Sequence, residues 1–241
     1  MIMPIENAAP EPDADTAWIA AWLQCNDTFY PTGTYAHSFG LEGAVQEGLV
    51  GDLASFRSFL RAAVLPPLAG LELPLTAHAY RALQAEDWNQ FDHVRYLASA
   101  MKTAREPREA TEGIGRQRLS LLATLHPHPL IREAGRRIGP GGAFAACVAT
   151  ALETRVLGAP IEAALASVCY GTVSSLAAAA MKLLRLGQNG IQQTMTATLA
   201  SAPQLIAAGL ATPLDAIGWS NPWWDIAAAR HELADGRMFI S

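Results

Sequence analysis

Four polar side chains that could bind a partner or take part in chemistry are concentrated in residues 30–42. They are Thr32, Thr34, His37 and Ser38. Pro31 fixes its own φ and Gly33 permits a positive φ, so the stretch is predicted to begin as a turn. Phe39 and Leu41 begin an apolar pattern that predicts a helix start. Such a junction could cap the helix or present a recognition surface, and these residues alone leave both interpretations open.

A histidine in this turn could also act as a general acid or base, because its pKa lies near neutrality. The chain would then be a helical small-molecule-binding enzyme with His37 in a cleft, beside a second titratable group. The sequence contains no G-x-S-x-G, H-E-x-x-H or G-x-x-x-x-G-K-[ST] motif, so the usual hydrolase, zinc-protease and P-loop signals are missing. We therefore predict that the chain is not an enzyme, and keep the His37 enzyme as the alternative.

The residues that could bind metal are poorly placed for it. His126 and His128 could share an ion, but prolines alternate with them and no carboxylate or thiolate lies close in sequence, so a surface turn is the better interpretation. Cys25, Cys147 and Cys169 are odd in number, far apart and without a C-x-x-C pair, which predicts three buried small residues rather than a disulfide framework or a zinc site. We predict no bound metal and no cofactor.

The elements that must position these groups are predicted to be helices. Apolar residues recur at helical spacing, and strict alternation over more than about four residues is absent. Asp52 and Asp87 are typical N-caps, and Pro66-Pro67 is predicted to end the helix that Asp52 begins. Residues 105–125 form a helix with charge pairs four residues apart. The sequence predicts an all-α, single-domain helical bundle of about ten helices over residues 15–241, after a flexible leader over 1–14.

Composition narrows the function classes. The chain has 241 residues, of which 51% are hydrophobic and 16% charged, with a net charge of −5. This is a globular composition, and the acidic balance argues against nucleic acid as a partner. Residues 163–181 carry no charge, but Ala, Ser, Thr and Gly gain little from lipid, so we predict a buried helix and no membrane span. The first 15 residues lack a basic n-region, so we predict a cytoplasmic protein.

The polar turn resembles the signature of the urease accessory protein F family, which reads approximately F-P-T-G-G-F-S-H-S-F-G-L-E. Pro31, Gly33 and the block 37–42 keep that pattern. The departures are Tyr30, Thr34, Tyr35 and Ala36. A second family motif, E-x-R-x-A-S/T followed by G-R, is similar to residues 106–111 and 115–116, which alone would be interpreted as a solvated helix face.

A third block, residues 182–192, resembles the family theme R/K-L-x-P-L-G-Q-x-x-x-Q. Arg185 stands where proline is common in the family. Gly171 and the nearby alanines would let another helix approach closely, and two glutamines lie four apart on one face. The residues of this candidate dimer or partner seam are Gly171, Lys182, Gln188 and Gln192. A buried contact within one chain and a seam between chains both remain open.

The fourth block, residues 230–241, resembles the family's ending of the H-E-x-L-x-x-R-L-F-x-S kind. Its apolar Met238, Phe239 and Ile240 predict that a partner, or a groove on the same domain, covers the tail. In the family, this tail and the signature turn contribute to docking on the urease accessory protein called D or H. The resemblance implies that Arg237 supplies a planar charged group and Phe239 an apolar anchor.

The resemblance implies a non-enzymatic, homodimeric urease maturation chaperone. It would bridge the D/H protein and the GTPase accessory protein G, and help deliver nickel to urease apoprotein, with nickel handled by the complex. The expected partner-binding residues are Tyr35, His37, Ser38, Glu42, Tyr170, Arg237 and Phe239. A helical scaffold without urease partners is a weaker alternative.

Overall fold

The computed structural model describes residues 16–221 and 236–240, and these residues form an all-helical domain. The α-helices are α1 (Ile19–Cys25), α2 (Leu41–Gln46), α3 (Leu53–Phe59), α4 (Leu65–Pro67), α5 (Leu73–Gln84), α6 (Trp88–Ala100), α7 (Arg105–Leu125), α8 (Pro129–Ile138), α9 (Ala146–Val156), α10 (Ile161–Leu183), α11 (Gln188–Leu199) and α12 (Ala202–Ala211). Thr34–Ala36 and Leu214–Ala216 are 3₁₀ turns, and no strand occurs in the described part of the chain. The all-α prediction is confirmed. The predicted leader 1–14 lies outside the described residues.

Two predicted helix starts are confirmed. The side chain of Asp52 accepts a hydrogen bond from the amide of Ser55, whose hydroxyl accepts one from the Asp52 amide in a capping box. Asp87 accepts a hydrogen bond from the amide of Gln90. Both caps satisfy amide groups that the first helical turn leaves without partners, so the local sequence is sufficient to begin these helices.

The prediction that Pro66-Pro67 ends a helix is wrong. The chain stays helical from α3 to α5, through π-helical turns at Leu60–Val64 and Leu68–Glu72 on either side of α4. A proline inside an α-helix lacks an amide donor and clashes with the carbonyl four residues earlier. The wider i→i+5 turns change which carbonyls and amides pair around the prolines. The segment from α3 to α5 therefore continues as a locally irregular helix.

The core has two parts that α10 joins. The first packs α5 to α9 around the N-terminal half of α10, where Ala164 and Leu165 are fully buried. The second packs α2, α3 and α11 around its C-terminal half, where Val173 and Leu176 are buried. Val168 contacts both clusters, so they form a continuous core. By length and composition α10 could cross a membrane, but half of its most apolar window is buried in this core.

Candidate protein-docking site

The signature turn, which is the polar stretch of residues 30–42, reverses the backbone twice before α2 begins. Gly33 adopts φ 80° and Gly40 φ 85°, a left-handed conformation that glycine accepts without strain. The hydroxyls of Thr32 and Thr34 are hydrogen-bonded to each other at 2.7 Å. These reversals direct Ser38 and Glu42 inward, where the two side chains are only 0% and 2% exposed.

The described tail, residues 236–240, docks on this turn within the same chain. The carboxylate of Glu42 accepts hydrogen bonds from the amides of Met238, at 2.7 Å, and Phe239, at 3.1 Å. The amide of Ile240 donates to the carbonyl of Ala36 at 2.9 Å. Phe239 is buried in the second core cluster with Leu41. The groove that covers Phe239 therefore lies on its own domain.

Lys182, in the last turn of α10, links the turn to the tail. Its ammonium donates to the carbonyl of Tyr35 at 3.2 Å. It also lies 5.8 Å from the centre of the Tyr35 ring and 5.3 Å from that of Phe239. A cation over two aromatic faces favours one arrangement of all three side chains, and such contacts contribute about 0.5–1 kcal/mol each at exposed sites.

The second family motif is part of the same site. Glu106, in the first turn of α7, forms an ion pair of 2.6 Å with Arg237 of the tail. Further along the motif, Thr111 accepts a hydrogen bond from the amide of Ala146 at the start of α9. A Cβ on Gly115 would lie 1.8 Å from the carbonyl oxygen of Phe144, so only glycine allows this crossing. One face of the motif is therefore buried and positions two other segments.

Two of the predicted charge pairs of α7 are present. Arg105 and Glu109 are 3.9 Å apart, and Arg116 and Glu112 are 3.5 Å apart. Arg108 donates to the carbonyls of Lys102 and Thr103 instead. The solvated-face interpretation thus holds for some of these side chains and fails for those that bind neighbouring loops.

The expected partner-binding residues divide into exposed and buried groups. Tyr35 is 75% exposed and Tyr170 41% exposed, so both side chains face solvent. Ser38, Glu42 and Phe239 are buried in the contact between turn and tail. Their direct contact with a partner stays a prediction.

Of the four predicted seam residues, Lys182 contacts the turn and the tail. Gly171 stands on α10 in the middle of the helix, with open space where a Cβ would be. Lys182 follows toward the C-terminal end of α10, where the tail docks. Gln188 and Gln192 are exposed at the start of α11. The four residues are therefore distributed along the surface of α10 and α11.

Sequence reasoning missed Glu106 as the partner of Arg237, and it missed the outward direction of Met238 and Ile240. The two side chains are 62% and 66% exposed. Opposite charges in two separate motifs were the available signal for Glu106. For the other two no sequence signal was available, because the chain bends at Met238 and Phe239.

His37 lies at the edge of the site and is half-buried. Its ring centre is 6.0 Å from that of Phe39, and burial lowers the pKa of its imidazole. A surface cavity of about 570 Å³ lies elsewhere, between α1 and α7, and its lining includes Leu23, Leu121 and Leu125 but not His37. This cavity is therefore not the cleft beside His37 that the enzyme alternative requires.

No group of three His, Cys, Asp or Glu side chains in residues 16–221 and 236–240 is arranged to hold a metal ion. His128 uses Nδ1 to accept a hydrogen bond from the amide of Leu130 and so caps α8. Cys25, Cys147 and Cys169 are buried free thiols, as predicted. Burial and the nearby Glu153 carboxylate raise the pKa of the Cys25 thiol to about 12.

Sequence comparisons with known proteins agree on one family. The family model described as UreF matches residues 50–199. The chain is 29% identical over 237 residues to the urease accessory protein UreF of Granulibacter bethesdensis, covering 98% of this chain and 100% of that protein. It is 32% identical over 225 residues to the UreF of an Arthrobacter species, covering 92% and 96%.

Identity is similar for a third relative. The chain is 31% identical over 241 residues to the UreF of Rhodopseudomonas palustris, covering 98% of this chain and 96% of that protein. The family match and these nearly full-length relatives show that the chain belongs to the UreF family of urease accessory proteins.

Proposed function

We propose that this protein is a non-enzymatic, cytoplasmic maturation chaperone for urease, acting as a homodimer. It bridges the accessory D/H protein and the GTPase accessory protein G, so that the assembly inserts nickel into urease apoprotein. The observation that carries the proposal is the joining of the signature turn, the tail and the end of α10 into one surface.

The exposed part of this surface suits a protein partner. Tyr35, Met238 and Ile240 are 75%, 62% and 66% exposed, although each is a large apolar side chain. Arg237 and Lys182 add cationic groups at the edge. Protein interfaces are enriched in aromatic residues, methionine and arginine, with a polar rim. We assign this surface to the D/H protein.

The surface of α10 and α11 suits a second contact. Tyr170 is exposed on α10, Gly171 leaves open space beside it, and Gln188 and Gln192 are exposed at the start of α11. We assign this seam to the homodimer and to the GTPase. The chaperone then acts by binding one state of the GTPase and of the assembly more tightly than the other, while nucleotide is bound by the GTPase and nickel is cargo of the complex.

The direct test is size-exclusion chromatography with light scattering on a mixture with the D/H protein. We expect the full-length chain to form a complex, and a chain without residues 237–241 to form none. Circular dichroism of the truncated chain should show its helices intact. Absence of a complex with the full-length chain would overturn the D/H assignment, and a complex that survives truncation would overturn the role of the tail.

A further inference from the structure

We propose that Glu42 is the positioning residue that fixes the register of the tail, so that Met238 and Ile240, rather than Phe239, contact the partner. The identity of the partner rests on the proposed function, whereas the role of Glu42 within the chain does not. Glu42 is thereby reassigned from direct partner contact to a role exerted through the tail.

The first argument is the pattern of hydrogen bonds. Two successive tail amides, those of Met238 and Phe239, donate to the two oxygens of one carboxylate. The amide of Ile240 then donates to the carbonyl of Ala36. Three consecutive amides are thus held by fixed acceptors of the turn, and a carboxylate is a stronger acceptor for an amide than a neutral carbonyl.

The second argument is the alternation of exposure. Phe239 is 5% exposed, whereas its neighbours Met238 and Ile240 are 62% and 66% exposed. A slip of one residue would bring Met238 or Ile240 to the buried position and expose Phe239. The carboxylate of Glu42 opposes that slip, because it binds the N–H groups of the two peptide bonds that flank Met238. The register decides which side chains a partner meets.

The third argument is the burial of Glu42 itself. A carboxylate that is 2% exposed requires hydrogen-bond donors, and the tail supplies two of them. The turn therefore stabilises the tail and the tail stabilises the turn. Tyr35 lies beside this contact, since the ammonium of Lys182 binds its carbonyl and also faces the ring of Phe239. A correctly seated tail thus completes one outward surface of Tyr35, Met238 and Ile240.

The test begins with hydrogen exchange of the tail amides in the chain alone. We expect Glu42→Gln to increase exchange at Met238 and Phe239 about tenfold, since a charge-assisted hydrogen bond is lost at each. The matched control is Glu47→Gln, which changes an exposed acid of the same region and should leave both amides unchanged. If Glu42→Gln does not fold, Glu42→Asp keeps the charge on a shorter side chain and should still increase exchange. Unchanged exchange in a folded Glu42 variant overturns the role of Glu42.

Binding to the D/H protein tests the second half of the proposal. The double variant Met238→Ser, Ile240→Ser should keep the amide protection and weaken binding at least about tenfold, whereas Phe239→Ala should lose both. Glu42→Gln should weaken binding in the full chain, whereas the control Glu47→Gln should leave it unchanged. Unimpaired binding of the double serine variant overturns the assigned register. If wild-type chain fails to bind D/H while the exchange results hold, the proposed partner is wrong and the role of Glu42 is supported.

Discussion

Glu106 at the start of α7 and Arg237 in the tail form an ion pair of 2.6 Å, although they are 131 positions apart in the sequence. The Arg237 side chain is 36% exposed and the Glu106 side chain 13% exposed. A pair at this partly solvated position contributes about 1 kcal/mol or less to stability. Its main effect is geometric, because it directs the tail across the end of α7.

Reversing the charge at this position tests the tail as a docking element. We expect Arg237→Glu to abolish binding to the D/H protein, because it places a second carboxylate beside Glu106, while the helical circular dichroism spectrum stays unchanged. Combining it with Glu106→Arg should recover part of the affinity, since the pair is restored in the opposite sense. Binding measured by calorimetry that is undiminished in Arg237→Glu would contradict the assignment.

Removing the buried aromatic ring of the tail should destabilise the domain. Phe239→Ala is expected to lower the free energy of unfolding by about 2 kcal/mol, because a side chain that is 5% exposed loses its apolar contacts. Ile240→Ala is the matched control, since this neighbour is 66% exposed and its change should stay within about 0.5 kcal/mol. Urea unfolding of the two variants side by side measures the difference. Equal effects would show that Phe239 is not held in the core.

Substituting alanine for each of two glycines of α7 should change the stability of the protein in opposite directions. Gly115→Ala should cost more than about 3 kcal/mol or prevent folding, because its Cβ would meet the carbonyl of Phe144 at 1.8 Å. Gly113→Ala adds a methyl group where nothing lies within 4 Å, and should stabilise the helix by up to about 1 kcal/mol. Thermal unfolding distinguishes them. A tolerated Gly115→Ala would contradict the close crossing.

The half-buried His37 should make stability depend on pH. Burial lowers its pKa in the folded state below the ordinary value of about 6.5, so the unfolded chain binds more protons around and below that pH. The contribution of His37 to the free energy of unfolding is therefore fully present above about pH 6.5, and it is lost as the pH falls below that value. Unfolding free energies between pH 5 and 8 should decline less toward acid in His37→Gln. Parallel profiles for the two proteins would refute this.

The three cysteines should resist alkylation until the protein unfolds. Burial raises the pKa of Cys25 to about 12 and that of Cys169 to about 11, and it holds the pKa of Cys147 well above its ordinary value. The reactive thiolate is therefore scarce at pH 8. Mass spectrometry after iodoacetamide treatment should find none of the three modified in the native chain and all three modified in urea. Rapid native labelling at any of them would contradict the burial.

Local chemistry made part of this structure predictable. The caps at Asp52 and Asp87 and the bounds of α7 follow from short-range patterns, and they are confirmed. The continuation of the helix through Pro66-Pro67 was not predictable, because two π-helical turns depend on the packing around them rather than on the prolines alone. Local patterns determine where most helices begin, and tertiary packing decides which irregular ones persist.

The site was predictable only in outline. The sequence indicated that the apolar tail needs a cover, but left open whether a partner or the same domain supplies it. Arg237 had 22 acidic residues as possible ion-pair partners, so its choice of Glu106 could not be read from sequence. Glu42 binds main-chain amides, which are present at nearly every residue and therefore leave no signal in the sequence.

The distance in sequence between Glu42 and the amides that it binds has a practical consequence. The Glu42 and Met238 groups are 196 positions apart, and Lys182 reaches the same place from a third region. A synthetic peptide covering the turn would leave Glu42 in water without either contact, and a peptide covering the tail would have no groove. Antibodies, inhibitors or minimal fragments aimed at this surface must therefore be selected against nearly the whole folded chain.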